Sequence, residues 1–408
     1  MVWLPLLLPM LLTTARTYRQ AFTGLSKETW LLSLIMLINR SGTMVIPFMT
    51  LYLTSPAMGY SVGQAGIVFG LFGAGAFSGA WLGGKLTDRI GFYPIQLITL
   101  TGGGLLFIIL GQMKTFPLIC GFTYLLSFVN EAFRPANSTA IAFYSNEENR
   151  TRSYALNRLA INLGWAVGSG LGGVLANINY ELLFWVDGIT NISAALLMWG
   201  LLKPVNYKPL RKVYDGATGS TPAHKDKPYM LFAVFTMLFA ACFFQLFNNL
   251  PVFFEKELHF SKPLIGVLMG ANGIIIALLE MVLIFKLEGR RKNTSYIAAG
   301  VFIVGISFLM LNIPEAGKLV AFSMITMVSL GEILALPFMN TYWIKRTQTD
   351  NRGQYAAIYT MAWSAAQTLG PMSGAQVAQH WGFPVLWFMI GGLCLVTALA
   401  FRSLNRYN

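Results

Sequence analysis

Apolar positions in this chain come in long unbroken runs, not in alternating or one-sided patterns. About twelve runs can be marked, near 30–53, 62–83, 94–112, 117–144, 154–176, 182–202, 229–254, 263–286, 295–313, 318–344, 355–378 and 384–402. Each is close to or above the roughly 20 apolar residues that carry a helix across a bilayer. Backbone groups in hydrocarbon must pair within their own segment, so the runs predict helices. The expected fold class is an all-α membrane protein with twelve transmembrane helices.

Polar stretches divide the runs evenly. The longest, "KPVNYKPLRKVYDGATGSTPAHKDKP" at 203–228, is rich in Lys, Pro and Gly and reads as a flexible linker. It separates a six-helix bundle at 30–202 from a second at 229–408. Residues 1–29 form a separate lead-in: "MVWLPLLLPMLLTTA" has no basic residue before its apolar run. It therefore reads as an interfacial segment, or an early start, more than as a cleaved signal peptide.

The halves repeat each other. Glu131-Ala-Phe-Arg-Pro135, then "NRTRSYA" and "GWAVGSGLGG", is matched by Gly331-Glu-Ile-Leu-Ala-Leu-Pro337, then "DNRGQYA" and "TLGPMSGA". "VIPFMTLYL" in the first run is echoed by "NLPVFFEKEL" in the seventh. Parallel six-helix repeats build one transporter architecture, with the substrate site between the halves midway through the membrane.

Composition agrees. The chain is 55% hydrophobic and 11% charged, against about 25% charged in soluble domains. Its net charge of +13 is topological. Basic residues such as Lys85, Arg89, Arg152, Arg290, Arg291, Lys345 and Arg346 fall in alternate loops, while the opposite loops hold only Lys114, Lys256, Lys262 and Lys318. By the positive-inside rule both termini are cytoplasmic, and nucleic acid is excluded as a partner. Cys120, Cys242 and Cys394 lie within runs with no CxxC pair, so they read as packing residues. No P-loop, metal-ligand cluster or soluble nucleotide-binding domain is present. No cofactor or enzymatic activity is expected, and an ion gradient is the remaining energy source.

Ionisable residues inside spans are costly and usually face a water-filled path or a partner. The first half places Arg40, Glu131, Arg134, Arg158 and Asp187 there, and the second half Glu280 and Glu332. A cavity between the halves is then positive toward the first bundle and negative toward the second, which suits a zwitterionic or amphipathic solute. Arg40, Arg134, Arg158 and Glu332 are candidate substrate-binding residues. Glu131, Glu332, Asp187 and Glu280 are candidate proton carriers, because His224, His259 and His380 all fall in loops. Each has a plainer reading. Glu131 and Arg134 at i,i+3 neutralise each other, Arg158 snorkels, Asp187 is a half-exposed structural acid, and Glu280 packs the bundle. Asn39, Asn130, Asn137, Gln245, Asn248, Asn340 and Trp363 complete the expected lining, with Asn162, Asn249 and Asn272 as further amides. Singly, such groups are more often helix-packing residues.

The loop after the second run reads Gly83-Gly-Lys-Leu-Thr-Asp-Arg-Ile-Gly91. It resembles the G-x-x-x-D-R-x-G signature of the major facilitator superfamily, with Gly84, Asp88, Arg89 and Gly91 matching as the expected conformational gate. Phe92 and Tyr93 replace the basic pair that usually follows. The resemblance covers essentially the whole chain. "INRSGTMVIPFMTLYLT" and "LNRLAINLGWAVG" resemble drug or dipeptide exporters of that superfamily. "RSGTMVIPFMTLYLT", "FRPANST" and "GEILALP" are similar to proton-coupled oligopeptide transporters. Here Asn39 stands where the peptide transporters have a Glu before their Arg, and Arg134 stands where they have Lys. The fifth-run motif Gly164-x-x-x-Gly168-Ser-Gly-Leu-Gly172-Gly173 lacks the proline of the antiporter pattern.

The resemblance implies two pseudo-symmetric six-helix bundles working by alternating access, as a monomer in a bacterial cytoplasmic (inner) membrane. The expected function is proton-coupled transport of a small drug, dipeptide or amino acid, with export favoured over uptake. The alternative is a proton-coupled peptide importer. A receptor or scaffold of transporter fold would show a large soluble appendage or lack in-span charges, and neither is seen.

Overall fold

The computed structural model describes residues 23–146, 149–204, 223–287, 289–313, 317–346 and 352–407. Residues 1–22 of the expected lead-in and 205–222 of the expected linker lie outside them. The described residues are helical nearly throughout. In the first half the helices are α1 Lys27–Ser41, α2 Val45–Leu53, α3 Val62–Ile90, α4 Phe92–Gly111, α5 Phe116–Glu131, α6 Phe133–Tyr144, α7 Arg150–Ile178 and α8 Glu181–Leu201. In the second half they are α9 Lys227–Phe243, α10 Asn249–Lys256, α11 Lys262–Leu287, α12 Asn293–Leu309, α13 Lys318–Lys345, α14 Arg352–Trp381 and α15 Phe383–Ser403.

Three pairs, α1/α2, α5/α6 and α9/α10, are single membrane passages broken in the middle, giving twelve passages in all. Among the described residues, eleven are long and apolar enough to cross a bilayer. The other is α14, whose 30 residues suffice in length but not in apolarity. One helix was expected for each of the twelve runs, and the breaks divide three of them in two. Two have a visible cause: Pro47 and Pro251 are each the third residue of the helix after the break, where a missing N–H costs nothing.

Each half packs on itself. In the first, α1 lies on α7 and α8, α3 on α5, and α4 on α8. In the second, α12 lies on α13 and α15, α11 on α13, and α9 on α14. The repeat extends to the turns. Gly91 (φ +90°) after α3 and Gly289 (φ +76°) after α11 occupy equivalent loops, and both take a left-handed conformation that disfavours a side chain.

The halves meet through α3 with α14, α7 with α11, and α2 with α10. Glycines set the approach, as small residues do between membrane helices. A Cβ on Gly66 would sit 2.4 Å from that of Ala375, one on Gly73 2.7 Å from Thr368, and one on Gly173 2.5 Å from the Lys262 carbonyl. Further along α3 the glycines turn away. Gly75 and Gly79 face Tyr124 and Phe128 of α5, Gly83 faces Ala132 just after it, and Gly84 has nothing within 4 Å. Helices α3 and α14 therefore touch near the start of α3 and diverge toward Gly84. The cleft between the halves is shut at one end.

Aromatic packing stiffens the second half, with Trp387 edge-to-face on Phe253 and stacked on Phe308 at centroid distances of 5.4 and 5.7 Å. At the divergent end, Asp226 caps α9 through the Tyr229 N–H and accepts from Arg346 Nη2 at 2.8 Å and Nε at 3.0 Å. Tyr355 donates to the same carboxylate at 2.9 Å. Ser26 holds the equivalent place in the first half, capping α1 and donating to the Tyr144 carbonyl at 2.8 Å.

Candidate functional site

The break in the first passage organises the site on its half. Between Ser41 and Val45 the backbone leaves the helix, and the freed N–H groups of Met44 and Val45 need acceptors. Asp187 of α8, fully buried, supplies them: Met44 N donates at 2.9 and 3.0 Å and Val45 N at 2.8 Å. The half-exposed acid expected at 187 is thus a buried cap for α2. One turn on, Asn191 donates to the Asp187 carbonyl and accepts from Asn39 at 2.7 Å. The glycines of α7 let this irregular backbone lie close. A Cβ on Gly164 would meet that of Arg40 at 2.6 Å, and one on Gly168 the Ser41 carbonyl at 2.9 Å. This gives the glycine motif of the fifth run a packing role against the broken helix.

Behind the break is a cavity of ≈ 30 Å³ lined by Asn39, Arg40, Thr99, Asn130, Glu131 and Asn191, large enough for a water molecule or two. Arg40 Nε is buried there without a hydrogen-bond partner among the described residues. Glu131, on the same wall, is held from outside by Arg134 at 3.1 Å. The Arg134 side chain is 67% exposed and that of Glu131 11%, so the acid reaches inward while its partner stays at the surface. Asn130 lines the cavity, but Asn137 does not. It is buried in a chain of amides, accepting from Gln96 and donating to Asn157 at 3.3 Å each.

Between the halves lies the second group of charges. Arg158 on α7 meets Glu280 on α11 at 2.9 Å. The plain snorkelling reading of Arg158 does not hold, because its guanidinium crosses to the other half. Glu332 on α13 has no ion pair among the described residues. Its neighbour is Asn272 of α11, which donates to Ser329 at 3.0 Å and to Glu332 at 3.4 Å. An aromatic wall stands beside these groups. Trp363 is edge-on to Phe243 and Phe244, and Trp165 of the first half is edge-on to Phe247 at 5.1 Å. The indole nitrogen of Trp363 is buried, with the Tyr359 ring edge-on at 6.3 Å.

Gln245 and Asn248 turn away from the expected lining. They sit at the break of the seventh passage, buried, and their amides donate to the Gly370 and Pro371 carbonyls of α14 at 2.7 and 3.3 Å. Asn248 also accepts from Thr50 of α2, so the two broken passages are tied to each other across the halves. Asn340 accepts from the Trp343 indole at 3.4 Å. Of the gate motif, Gly91 makes the turn, Gly84 faces open space and Arg89 is exposed; the Asp88 side chain lies outside the described residues. Sequence reasoning had no signal for Thr50 or Asn191, since each is defined by a partner on a distant helix.

This arrangement has the parts of a transport site: polar and charged groups held between two bundles that touch at one end. Sequence comparison shows the family. A profile described as the Major Facilitator Superfamily matches residues 29–371. A Na(+), Li(+), K(+)/H(+) antiporter of Planococcus maritimus is 22% identical, with 89% of this chain and 92% of that one covered. The class D tetracycline resistance protein of Salmonella ordonez is 22% identical, with 83% and 87% covered. Among solved structures, a POT family transporter in complex with 5-aminolevulinic acid superposes with a TM-score of 0.79 at 14% identity, covering 95% of this chain and 97% of that one. With a profile match over most of its length and this two-bundle fold, the chain belongs to the major facilitator superfamily of membrane transporters.

Proposed function

We infer that the protein is a proton-coupled secondary transporter of a small amphipathic or zwitterionic organic solute, with export favoured over uptake. The observation that carries this reading is Glu332. It is a carboxylate in the inter-bundle cleft that accepts a hydrogen bond from Asn272 and forms no ion pair among the described residues. A carboxylate so placed gains and loses a proton as its access to water changes. Arg158–Glu280 beside it and the aromatic wall of Trp363 supply a charged and an apolar surface for one solute. The charge asymmetry of the loops puts the divergent end of the cleft in the cytoplasm, so this would be the inward-facing arrangement. Similarity to an H(+) antiporter and a tetracycline resistance protein supports export.

Uptake of a peptide-like substrate with protons is the second reading. It is favoured by Arg40, whose Nε, without a hydrogen-bond partner among the described residues, is suited to a carboxylate. The test uses purified protein in liposomes with a pH-sensitive dye inside and panels of dipeptides, amino acids and cationic drugs. Substrate-dependent proton flux that is lost in Glu332→Gln supports coupling at this residue. Substrate movement without proton flux refutes it. Under an imposed proton gradient, the direction in which substrate moves separates antiport from symport.

A further inference from the structure

Helices α3 and α14 run antiparallel along the closed end of the cleft, and the glycines of α3 meet a regular series on α14. Gly73 faces Thr368, Gly70 faces Met372, Gly66 faces Ala375, and Gly63 faces the side chains of Gln376 and Gln379. From Gly63 to Gly73 this seam is about 15 Å long. Its last contact differs in kind, because there the halves are joined by hydrogen bonds.

Gly63 is the second residue of α3, so its N–H has no partner within the helix. Gln379 supplies one, its Oε1 accepting at 2.6 Å. Three residues earlier, Gln376 donates from Nε2 to the Gly63 carbonyl at 3.2 Å. Two side chains of the second half thus hold both backbone polar groups of one residue of the first. The partners dictate how each amide is turned, since an N–H can be met only by an acceptor and a carbonyl only by a donor. Gly63 is fitted to the contact: a Cβ there would lie 2.3 Å from Gln379 Oε1 and 2.9 Å from Gln376 Nε2, so a side chain would push both glutamines away. The start of α3 does not need them for its own shape. Ser61 and Gln64 already cap it reciprocally, the arrangement that stabilises a helix start locally. Gln379 is exposed and Gln376 half-buried, so water can take over both bonds when the contact parts.

We propose that Gln376 and Gln379 form a two-point latch on Gly63 that sets how readily the closed end of the cleft opens. They are positioning residues for transport and touch no solute. The latch rests on the cleft opening at its two ends in turn, and on neither the solute nor the proton assigned above.

The two glutamines play opposite hydrogen-bonding roles, and this separates a latch from simple packing. Changing Gln to Glu keeps the size and the acceptor but removes the donor, because the carboxyl is ionised near neutral pH. Gln379→Glu should hold the Gly63 N–H as before, whereas Gln376→Glu sets a carboxylate against the Gly63 carbonyl. Opening is read through Thr50→Cys, a position 1% exposed where the two broken passages meet. The protein lacks its native cysteines, is held in nanodiscs and is treated with a maleimide. Against that reference, Gln376→Glu, Gln379→Leu and Gly63→Ala should each raise the labelling rate about fivefold, the factor expected from one hydrogen bond. Gln379→Glu should leave it unchanged or lower it. Spin labels at Ala57 and Glu257, both exposed and on neither helix of the seam, should show a longer distance gaining population in Gln376→Glu. Fraying of α14 alone would not produce that distance. Equal effects of the two Glu substitutions, an unchanged rate in Gln376→Glu and Gly63→Ala, or faster labelling without the longer distance would each overturn the latch. Loss of the proton-coupling reading in the flux assay would leave these readouts untouched.

Discussion

The carboxylate of Asp187 holds the backbone N–H groups of both Met44 and Val45, so an acid on the sixth passage terminates the break in the first. Hydrocarbon offers no substitute acceptor. Asp187→Ala should leave two buried donors unpaired and cost several kcal/mol, at about 1–3 kcal/mol each. Fluorescence-detected gel filtration after heating should show a large loss of thermal stability. Asp187→Asn, which keeps one acceptor oxygen, should fall between. If Asn at 187 left stability untouched while removing proton flux, the carboxylate would be a carrier and not a cap.

Closure at one end depends on glycines with no room for a Cβ. On Gly266 it would lie 2.5 Å from the Ser169 carbonyl and 2.9 Å from Gly173 Cα, backbone atoms that cannot swing aside. Gly266→Val should therefore hold the halves apart at this end. A cysteine placed in this contact, in a background without the native cysteines, should become reactive to a membrane-impermeant maleimide. Turnover should fall at least tenfold with the protein still folded. Unchanged labelling would show that the helices slide to accommodate the methyl groups.

Much of the architecture was legible in the runs of apolar residues, because a bilayer imposes one length and one secondary structure on each of them. What escaped depends on contacts between distant segments. Pro47 and Pro251 hint at breaks, yet nothing near them in sequence names Asp187 as the group that satisfies the freed N–H groups, or Thr50 and Asn248 as the pair that ties the two broken passages together. Gln245 and Asn248 looked like cavity lining because an amide in an apolar run has only composition to describe it. Their donors instead close the seventh passage against Gly370 and Pro371. Arg158 and Glu280 were both picked out, but their pairing rests on the antiparallel crossing of α7 and α11, which no spacing reveals. Helix α14 is the least apolar of the twelve passages and packs on α3 of the other half as well as on α9 of its own, a pairing that no spacing reveals either.

Asp226 gives the structure an acid-sensitive point outside the membrane. Burial alone would raise its pKa, but hydrogen bonds from Arg346, Tyr355 and the Tyr229 N–H, with the Arg346 charge, outweigh that and hold it below the ordinary 3.8. A carboxyl with a depressed folded-state pKa contributes stability that is complete above its unfolded value and lost as pH falls through the folded one. Thermal stability of the wild type should exceed that of Asp226→Asn at pH 7. The gap should shrink as pH is lowered below about 4. A gap independent of pH would mean that the Asp226 charge contributes nothing.

Arg158 and Glu280 form a charge pair between the halves, with side-chain exposures of 37% and 9%. The more deeply buried member should be the costlier one to leave alone. Arg158→Gln strands the buried Glu280 carboxylate, where an uncompensated charge costs on the order of 3–5 kcal/mol. That burden should show as lost thermal stability, as proton uptake by Glu280, or as both. Glu280→Gln leaves a guanidinium with partial access to water and should be milder. The double substitution Arg158→Gln with Glu280→Gln removes both charges and should recover most of the stability lost in Arg158→Gln. It should not recover transport if the pair also faces the solute. A double-mutant cycle on melting temperature, run beside a flux assay on the same four proteins, separates the two roles. Additive stability losses would mean that the residues do not interact in the membrane. Full recovery of flux in the double variant would make the pair a strut between the bundles and leave Glu332 as the carboxylate on which coupling rests.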